Sequence, residues 1–417
     1  MKSRGALFGL ACLALSLPAS PAVGVPAPGA ADGSRSAAWA YDTVLDWQQT
    51  AIDVVYQRQP PPPVIPPGAL VLGFTSTAMY EAVTMSRARR NSSERAAAAV
   101  AAFRVLSEYV PNQAEYLVEQ RSASLAKIGA GPPKRLGIRI GRRAARQMVA
   151  SRVGDGRELA GSIHYQRPAD PGVWQPDPPA TDMAFAHIGF VDLLVLRHRV
   201  RLDGPDPLDS AAYARDFNEV KELGSDQPPA PGDTAAAARS ATAVFWNANS
   251  ATMVGQATIA YLRDHPRGIV STARLFAAMH GAMTDSVITC FRLKFRVGFW
   301  RPNQAIHRAA EDGNPATAPD PAWAPLLANP PYSDYVSGHA ALTAPAAEVV
   351  RRMIGERTPL TVVNPGTGES RTYRTLTALE TSAANARVWG GFHFRDAMDD
   401  GYLLGHRTAQ RVMRALD

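Results

Sequence analysis

Apolar residues recur at helical spacing along most of the chain. In residues 37–59, for example, Val44, Leu45, Ile52 and Val55 fall on one face of a helix. No segment alternates apolar and polar residues over the length of a strand, and no repeat recurs at a fixed period. The pattern therefore predicts an all-α fold. The other predicted helices share this spacing and span residues 70–85, 94–109, 113–128, 134–153, 209–223, 235–246, 253–264, 271–291, 340–354, 373–386 and 396–416.

Proline and glycine mark the predicted breaks between these helices. The proline run at residues 60–67 ends the first helix, and Gly154 and Gly156 end a later one. Residues 358–372 are expected to hold a short hairpin around the turn sequence that begins at Asn364. We expect two stacked helical bundles in one compact unit. The predicted divisions are a signal and lead-in at residues 1–30, an N-terminal helical half at 37–200 and a C-terminal helical half at 206–417.

The composition is that of a globular protein, with 46% hydrophobic and 19% charged residues. A net charge of +7 raises the question of a polyanionic partner. No basic tract is interleaved with aromatic residues, so nucleic acid is not a predicted partner. Nothing in the sequence indicates an oligomeric state.

The N-terminus has the pattern of a secretory signal. Lys2 and Arg4 precede an apolar run at residues 6–17, so we expect a secreted protein. Cys12 would leave with the signal and Cys290 would remain alone, which excludes an internal disulfide in the mature chain. Beyond the signal, no apolar run reaches the ~18 residues needed to cross a bilayer. No membrane span is predicted.

Three short polar islands in the C-terminal half carry the candidate chemistry. The first contains Lys294 and Arg301, which would share one face of a helix two turns apart. Pro302 biases Arg301 toward an extended backbone, which would end that helix. An ammonium acts as a point charge and a guanidinium as a two-pronged fork for oxyanions. The alternative is an ordinary basic helix face.

The second island is the tripeptide Ser337, Gly338 and His339, which precedes a predicted helix. Serine is a common N-cap, and that role alone would account for it. Helix N-termini also bind anions through their free N–H groups, and glycine lets a ligand approach the backbone closely. Histidine can exchange protons near neutral pH. This island is therefore a candidate anion and proton-transfer site.

The third island contains Arg387 and His393, which one continuous helix would point about 120° apart. Gly390 and Gly391 lie between them and should break the helix, so that both side chains can reach one site. The alternative for His393 is a buried histidine paired with a backbone carbonyl. Asp396 either complements the dipole of the following helix or accepts a proton from His393 and fixes its tautomer.

The order of the three islands resembles the signature of the vanadium-dependent haloperoxidases and the type 2 phosphatidic acid phosphatases. That signature reads Lys-x6-Arg-Pro, then Ser-Gly-His, then Arg-x5-His. Further similarity to vanadium chloroperoxidases lies between the islands, at Ala273-Arg-Leu-Phe-Ala, Thr284-Asp285 and Phe299-Trp-Arg-Pro. The superfamily shares one anion pocket, which holds vanadate in the peroxidases and phosphate in the phosphatases.

The resemblance implies a role for each island residue. In a haloperoxidase, His393 would bond vanadium and His339 would act as acid and base, while hydrogen peroxide oxidises a halide to hypohalous acid or its equivalent, which then halogenates an organic acceptor. In a phosphatase no vanadate is needed: His393 would attack a phosphate ester and form a phosphohistidine, and His339 would protonate the leaving alcohol. In both chemistries the anion's oxygens would be bound by Lys294, Arg301, Ser337, the Gly338 amide and Arg387.

The sequence departs from the chloroperoxidase pattern at four positions around the expected pocket. Asn249 stands where that pattern has an aspartate that supports the acid–base histidine. Phe291 replaces a tryptophan, Tyr332 replaces a phenylalanine or histidine, and Ala397 replaces a carboxylate. An amide cannot raise the basicity of His339 as a carboxylate would. These departures favour bromide or iodide over chloride.

Three hypotheses follow. The first is a secreted haloperoxidase that takes hydrogen peroxide, a halide and an organic acceptor. The second is a soluble acid phosphatase, favoured by Asn249 and by the generality of the pocket. The third is a non-enzymatic anion-binding relative, against which the complete set of pocket residues argues.

Overall fold

The computed structural model describes residues 42–58 and 65–417. The predicted signal, the lead-in and Cys12 lie outside the described residues. Within them the all-α prediction is confirmed, with thirteen α-helices and one two-stranded sheet. The helices are α1 (Asp42–Ile52), α2 (Ile65–Arg87), α3 (Glu94–Tyr109), α4 (Ala114–Ala126), α5 (Pro132–Ser151), α6 (Ala211–Leu223), α7 (Thr234–Phe245), α8 (Ser250–Asp264), α9 (Ile269–Val297), α10 (Pro302–His307), α11 (Gly338–Met353), α12 (Leu376–Trp389) and α13 (Arg395–Ala415).

Side-chain caps set several of the helix starts. Ser93 accepts the Ala96 N–H at 3.2 Å and begins α3, which spans the predicted residues. Asp233 accepts the Ala236 N–H at 2.8 Å and begins α7. Each cap satisfies one of the N–H groups that a helix start leaves without an intrahelical acceptor.

The proline run at residues 60–67 was expected to lie wholly between helices, and that expectation is wrong at its C-terminal end. Helix α2 begins at Ile65, so Pro66 and Pro67 lie in its first turn. Proline is tolerated there because first-turn N–H groups have no intrahelical acceptor to lose. Pro345 also lies inside a helix, since α11 continues through it to Met353.

The predicted hairpin is confirmed between α11 and α12. Strands β1 (Leu360–Val363) and β2 (Ser370–Tyr373) pair antiparallel. The side chain of Asn364 holds the turn, because its Oδ1 accepts N–H groups from Gly366 at 2.8 Å and Thr367 at 3.1 Å. Its Nδ2 donates to the Phe245 carbonyl at 2.8 Å, which ties the hairpin to α7.

Helix α9 joins the two groups of helices. It packs against α2 on the N-terminal side and against α11 and α13 on the C-terminal side. Most of its residues are buried, including the free thiol of Cys290. The Asp285 carboxylate accepts backbone N–H groups from Leu194, Val195 and Leu196 at 2.5–3.1 Å, which anchors the loop before α6 to this helix. The boundary between residues 200 and 206 stays a prediction.

No helix in residues 42–58 and 65–417 is both long enough and apolar enough to cross a bilayer. This agrees with the sequence-based prediction for the part of the chain beyond the signal.

Candidate anion-binding site

Lys294 and Arg301 do not share a helix face, so that part of the prediction is wrong. Helix α9 ends at Val297, because Gly298 adopts a left-handed conformation with φ of 63° and its N–H bonds to the Lys294 carbonyl. Arg301 follows in extended backbone, with φ of −88° and ψ of 162°, as expected for a residue before proline. The two side chains therefore reach the site from different elements.

Lys294 is fully buried and points at the loop before α11. Its Nζ donates to the carbonyl oxygens of Ser333 at 2.7 Å and Asp334 at 2.9 Å. An ammonium has three N–H donors, so these contacts leave one for a ligand. Burial lowers the pKa of Lys294 to about 7, and the charge of Arg301 adds to this effect. A bound anion would reverse that shift.

Arg301 is also fully buried and connects the islands through their backbone. Its Nε donates to the Tyr332 carbonyl and its Nη1 to the Phe392 carbonyl, both at 2.7 Å. Its Nη2 is buried and has no hydrogen-bond partner among the described residues. A buried donor without a partner is costly, so Nη2 is a position where a ligand oxygen would be stabilised.

The second island forms the start of α11. Ser337 is the N-cap, and its Oγ accepts the Ala340 N–H at 3.4 Å, as predicted for a capping serine. A Cβ added at Gly338 would meet no atom within 4 Å, so the space beside this residue is open. The backbone N–H groups of this first turn therefore border free space at the positive end of the helix dipole.

His339 lies in the same turn, with its ring edge-on to Trp246 at 5.9 Å between centroids. Trp246 is itself fixed, because its indole N–H donates to Ser382 at 3.0 Å and Tyr373 at 3.2 Å. The Nε2 of His339 is buried and has no partner among the described residues. Burial lowers the pKa of His339 well below its usual value, and the charge of Arg387 adds to this. The imidazole is neutral in the ligand-free site.

The third island is broken by glycine, as predicted. Helix α12 ends at Trp389, Gly391 has φ of 74°, and α13 begins at Arg395. Arg387 lies in the last turn of α12 with its guanidinium 3.8 Å from the centroid of the Phe392 ring. Its Nε is buried without a partner among the described residues, and burial lowers its pKa to about 10.

His393 pairs with Asp334, which the sequence reasoning missed. Its Nδ1 lies 2.6 Å from Asp334 Oδ1, and both side chains are buried. Asp396 was considered for this role and does not fill it. It lies in the first turn of α13, where it accepts the Asp206 N–H at 3.3 Å. The available signal was a carboxylate only three residues before Ser337, just ahead of the second island.

The islands meet at a cavity of about 270 Å³. Its polar lining includes Asn249, Gly338, His339, Arg387 and His393. Its apolar and aromatic lining includes Ile65, Val287, Phe291, Tyr332, Leu342 and Phe392. Lys294, Arg301 and Ser337 do not line it, but the Lys294 ammonium and the Arg301 guanidinium lie 5.0 and 5.2 Å from the ring centroid of Tyr332, which does. Of the predicted site residues, the cavity is thus lined by Asn249, Phe291, Tyr332, Gly338, His339, Arg387 and His393, and Asp396 lines a different one.

The residues around the cavity fit an oxyanion. Arg387 lines it and Lys294 and Arg301 pack against its Tyr332 wall, and none of the described residues that line it carries a carboxylate. Burial lowers the pKa of His393 well below its usual value. The positive charges of Arg301, Lys294 and Arg387 lower it further. Unpartnered donors on two arginines and a positive field are the features that stabilise a tetrahedral or trigonal-bipyramidal oxyanion.

The C-terminal part of the chain also matches a known family. Residues 274–417 match the VCPO (vanadium chloroperoxidase) second helical-bundle domain, a range that contains all three islands. A stretch of 95 residues is 35% identical to the vanadium chloroperoxidase of Curvularia inaequalis, and covers 20% of this chain and 15% of that protein. The C-terminal part of the chain is therefore similar to the vanadium chloroperoxidases.

The fold of this family extends over nearly the whole chain. A bacterial vanadium-dependent iodoperoxidase superposes with a TM-score of 0.70 at 20% identity, covering 91% of this chain and 96% of that chain. A bacterial vanadium-dependent chloroperoxidase in its apo form gives a TM-score of 0.63 at 18% identity, covering 84% and 95%. The N-terminal helices, which carried no motif, are therefore part of the haloperoxidase-like fold.

Asn249 differs from the residue expected from the resemblance to chloroperoxidases in both charge and hydrogen bonding. Its Oδ1 caps α8 by accepting the Ala251 N–H at 3.1 Å. The rest of the amide, at the cavity lining, is an N–H donor where that pattern has a carboxylate acceptor. Phe291 packs edge-on against Tyr332 at 5.4 Å, so both replacements form one aromatic wall of the cavity.

Proposed function

We propose that this protein is a vanadium-dependent haloperoxidase that uses hydrogen peroxide to oxidise bromide or iodide. The observation that carries the proposal is a set of buried nitrogen atoms without hydrogen-bond partners among the described residues, on Arg301, Arg387 and His339. Such groups cost free energy in the empty site and recover it when an oxyanion binds. The family match and the haloperoxidase-like fold support vanadate as that oxyanion.

The residues present can hold vanadate. His393 directs Nδ1 to Asp334, which leaves Nε2 for a bond to vanadium. Vanadium bound there supplies a Lewis acid that polarises the oxidant. The oxygens of the anion would be held by Lys294, Arg301, Ser337, the Gly338 N–H and Arg387.

His339 suits the role of a base toward hydrogen peroxide. Its imidazole is neutral in the ligand-free site, since burial lowers its pKa well below the usual value. A neutral imidazole at the cavity could accept a proton from hydrogen peroxide. The edge-on contact with Trp246 holds the ring at the cavity while the proton moves.

The cavity has room beside its apolar wall for more than the anion. Val287, Phe291 and Leu342 are among its lining residues, and apolar side chains there would limit the water that reaches an oxidised halide. The same wall would accommodate a small apolar organic acceptor. Asn249, which cannot support His339 as a carboxylate does, favours the more easily oxidised halides bromide and iodide over chloride.

A phosphatase that acts through a phosphohistidine is the second candidate. The specific observation in its favour is Asn249, which removes the carboxylate expected of a chloroperoxidase. His339 would then have to protonate the leaving alcohol, and a buried neutral imidazole is poorly prepared for that step. We therefore rank it below the haloperoxidase.

One comparison separates the two functions. The purified protein is assayed for bromination and iodination of a colourless acceptor with hydrogen peroxide, over a range of orthovanadate concentrations. In parallel it is assayed for hydrolysis of an aryl phosphate without vanadate. We expect vanadate-dependent halogenation. Phosphate release that vanadate inhibits, without halogenation at any vanadate level, would reject the haloperoxidase and favour the phosphatase.

We also propose that the protein is exported. Lys2 and Arg4 followed by the apolar run at residues 6–17 support this. N-terminal sequencing of the mature protein should find the apolar run removed. A mature chain in the cytoplasm that retains it would contradict export.

A further inference from the structure

Asp334 is buried behind the cavity wall, on the far side of His393. One of its oxygens, Oδ1, lies 2.6 Å from His393 Nδ1, and its side chain has no exposed surface. Its backbone is fixed as well, because its carbonyl accepts from Lys294 Nζ at 2.9 Å and its N–H donates to the Phe299 carbonyl at 2.9 Å. The carboxylate is therefore held in place by contacts that do not involve the histidine.

The second oxygen of Asp334 faces a separate small cavity. Oδ2 is buried and has no hydrogen-bond partner among the described residues. The cavity has a volume of about 10 Å³ and is also lined by Asp206, Asp216 and Asp396. A space of this size holds about one water molecule. A water that donates one hydrogen to Oδ2 and the other to a neighbouring carboxylate would satisfy the Asp334 oxygen and separate like charges.

We infer that Asp334 is a positioning residue: it accepts the Nδ1–H of His393 and so holds the imidazole in the tautomer whose bare Nε2 faces the 270 Å³ cavity. The inference deepens the proposed function and rests on it where it concerns vanadate.

The physical reason is the difference between the two ring nitrogens. A neutral imidazole can bond a Lewis acid only through the nitrogen that carries no proton. In the opposite tautomer the Nε2–H would point into a site that already contains three cationic side chains. An acceptor at Nδ1 prevents this, and a charged acceptor also raises the basicity of the bonding nitrogen. Burial raises the pKa of Asp334 to about 8, and the charges of Arg301 and Lys294 oppose that shift and favour the ionised acceptor.

The test begins with the protein free of vanadate. Nitrogen-15 labelled histidine and long-range proton–nitrogen correlation spectra distinguish the two tautomers, and the His393 signals are assigned by their loss in His393→Ala. We expect the Nδ1–H tautomer in the parent and in Asp334→Asn, whose amide oxygen can still accept. Asp334→Ala should show mixed or reversed tautomers. An Nε2–H tautomer in the parent, or an unchanged tautomer in Asp334→Ala, would overturn the inference.

Orthovanadate binding, measured by calorimetric titration, is the second readout. Affinity should fall by about tenfold or more in Asp334→Ala and by a smaller factor in Asp334→Asn, as for other partners of ligating histidines. Asp396→Asn is the matched control, because it removes a carboxylate from the same small cavity without contacting His393. It should leave the tautomer unchanged. An equal loss of vanadate affinity in Asp396→Asn would assign the effect to the total charge of the carboxylates around the small cavity, and would overturn the role of Asp334.

Failure of the haloperoxidase proposal is distinguishable from failure of this inference. The tautomer is read without vanadate and without a halide. Suppose that the parent never oxidises bromide but shows the Nδ1–H tautomer, and that Asp334→Ala loses it. That result would reject the peroxidase function and support the positioning role. If Asp334→Ala does not fold, Asp334→Asn decides through vanadate affinity, and an affinity equal to that of the parent would overturn the inference.

Discussion

Arg301 binds the backbone of Phe392: its Nη1 donates to that carbonyl at 2.7 Å, across 91 residues of chain. Its Nε makes an equally short bond to the Tyr332 carbonyl. One guanidinium thus fixes the loop before the second island and the residue next to His393. The geometry of the pocket therefore depends on the planar guanidinium of Arg301, which binds two carbonyls at once, as much as on its positive charge.

Arg301→Lys should therefore be costly even though the charge is kept. An ammonium cannot reach both carbonyls in the fork geometry, and an unpaired buried carbonyl costs about 1–3 kcal/mol. We expect a comparable loss in the free energy of unfolding, measured with urea, and weaker vanadate binding. Arg308→Lys, at an arginine that pairs with Glu311 at the surface, is the control and should change neither. Parent-like stability and affinity in Arg301→Lys would contradict the structural role.

His393→Ala should lower vanadate affinity by at least about tenfold, because it removes the residue that would bond vanadium. Calorimetric titration with orthovanadate measures this directly. His265→Ala serves as the control, since that ring stacks on Tyr261 at 4.0 Å outside the cavity. Affinity unchanged in His393→Ala would reject the bonding role.

Gly338→Ala should weaken vanadate binding without changing the stability of the fold. The added Cβ meets no atom within 4 Å, so the free energy of unfolding should stay within about 0.5 kcal/mol of the parent. The methyl group would enter the space beside the α11 N–H groups and obstruct an anion there. We expect a loss of vanadate affinity without a change in thermal unfolding temperature.

Gly401→Ala provides the opposite control for this position. Its Cβ would lie 2.7 Å from the Ala340 Cβ, so this variant should lose stability. Vanadate affinity equal to the parent in Gly338→Ala would show that the anion does not approach this backbone.

Asn249→Asp should raise halide oxidation if the amide limits His339. Aspartate caps a helix as well as asparagine, so α8 should keep its start. A carboxylate near His339 raises the pKa of that histidine, and His339 acts as a base only when neutral. The acidic limb of the pH–rate profile should therefore move to higher pH. Asn247→Asp, at the same cavity, controls for added charge. An unchanged rate and profile would remove Asn249 from the explanation of halide preference.

Lys294 should make stability depend on pH. Burial lowers its pKa to about 7 from an ordinary 10.5, so between these values the unfolded chain binds more protons than the folded chain. The contribution of this lysine to the free energy of unfolding therefore rises with pH through that window and is lost as pH falls through 7. Urea unfolding at several pH values, in buffers free of phosphate and vanadate, should show a shallower rise in Lys294→Met.

Two controls accompany the lysine measurement. Lys221→Met, at a partly exposed lysine, should leave the pH dependence of the parent unchanged. Saturating vanadate should reduce the slope in the parent, because a nearby anion favours the charged ammonium. A parent slope that matches Lys294→Met without vanadate would show that the lysine is not desolvated as the structure indicates.

Local sequence patterns determined much of the fold. Helix α3 spans the predicted residues 94–109, and the hairpin forms around Asn364 as expected. These features depend on apolar periodicity, caps and turn residues, which act over a few neighbouring positions. The prediction that Lys294 and Arg301 share a helix face was wrong for a local reason as well. Gly298 lies between them in a left-handed conformation, and it ends α9 before Arg301 is reached.

The sequence by itself also determined which residues could bind an oxyanion, because the order of three short motifs identified them. It could not determine how those motifs meet. That Asp334 pairs with His393, that Arg301 binds the Phe392 carbonyl, and that Asp396 belongs to another cavity were decided by tertiary structure alone. The physical reason is that buried hydrogen bonds join whichever backbone segments pack side by side, and packing depends on the whole core rather than on spacing along the chain.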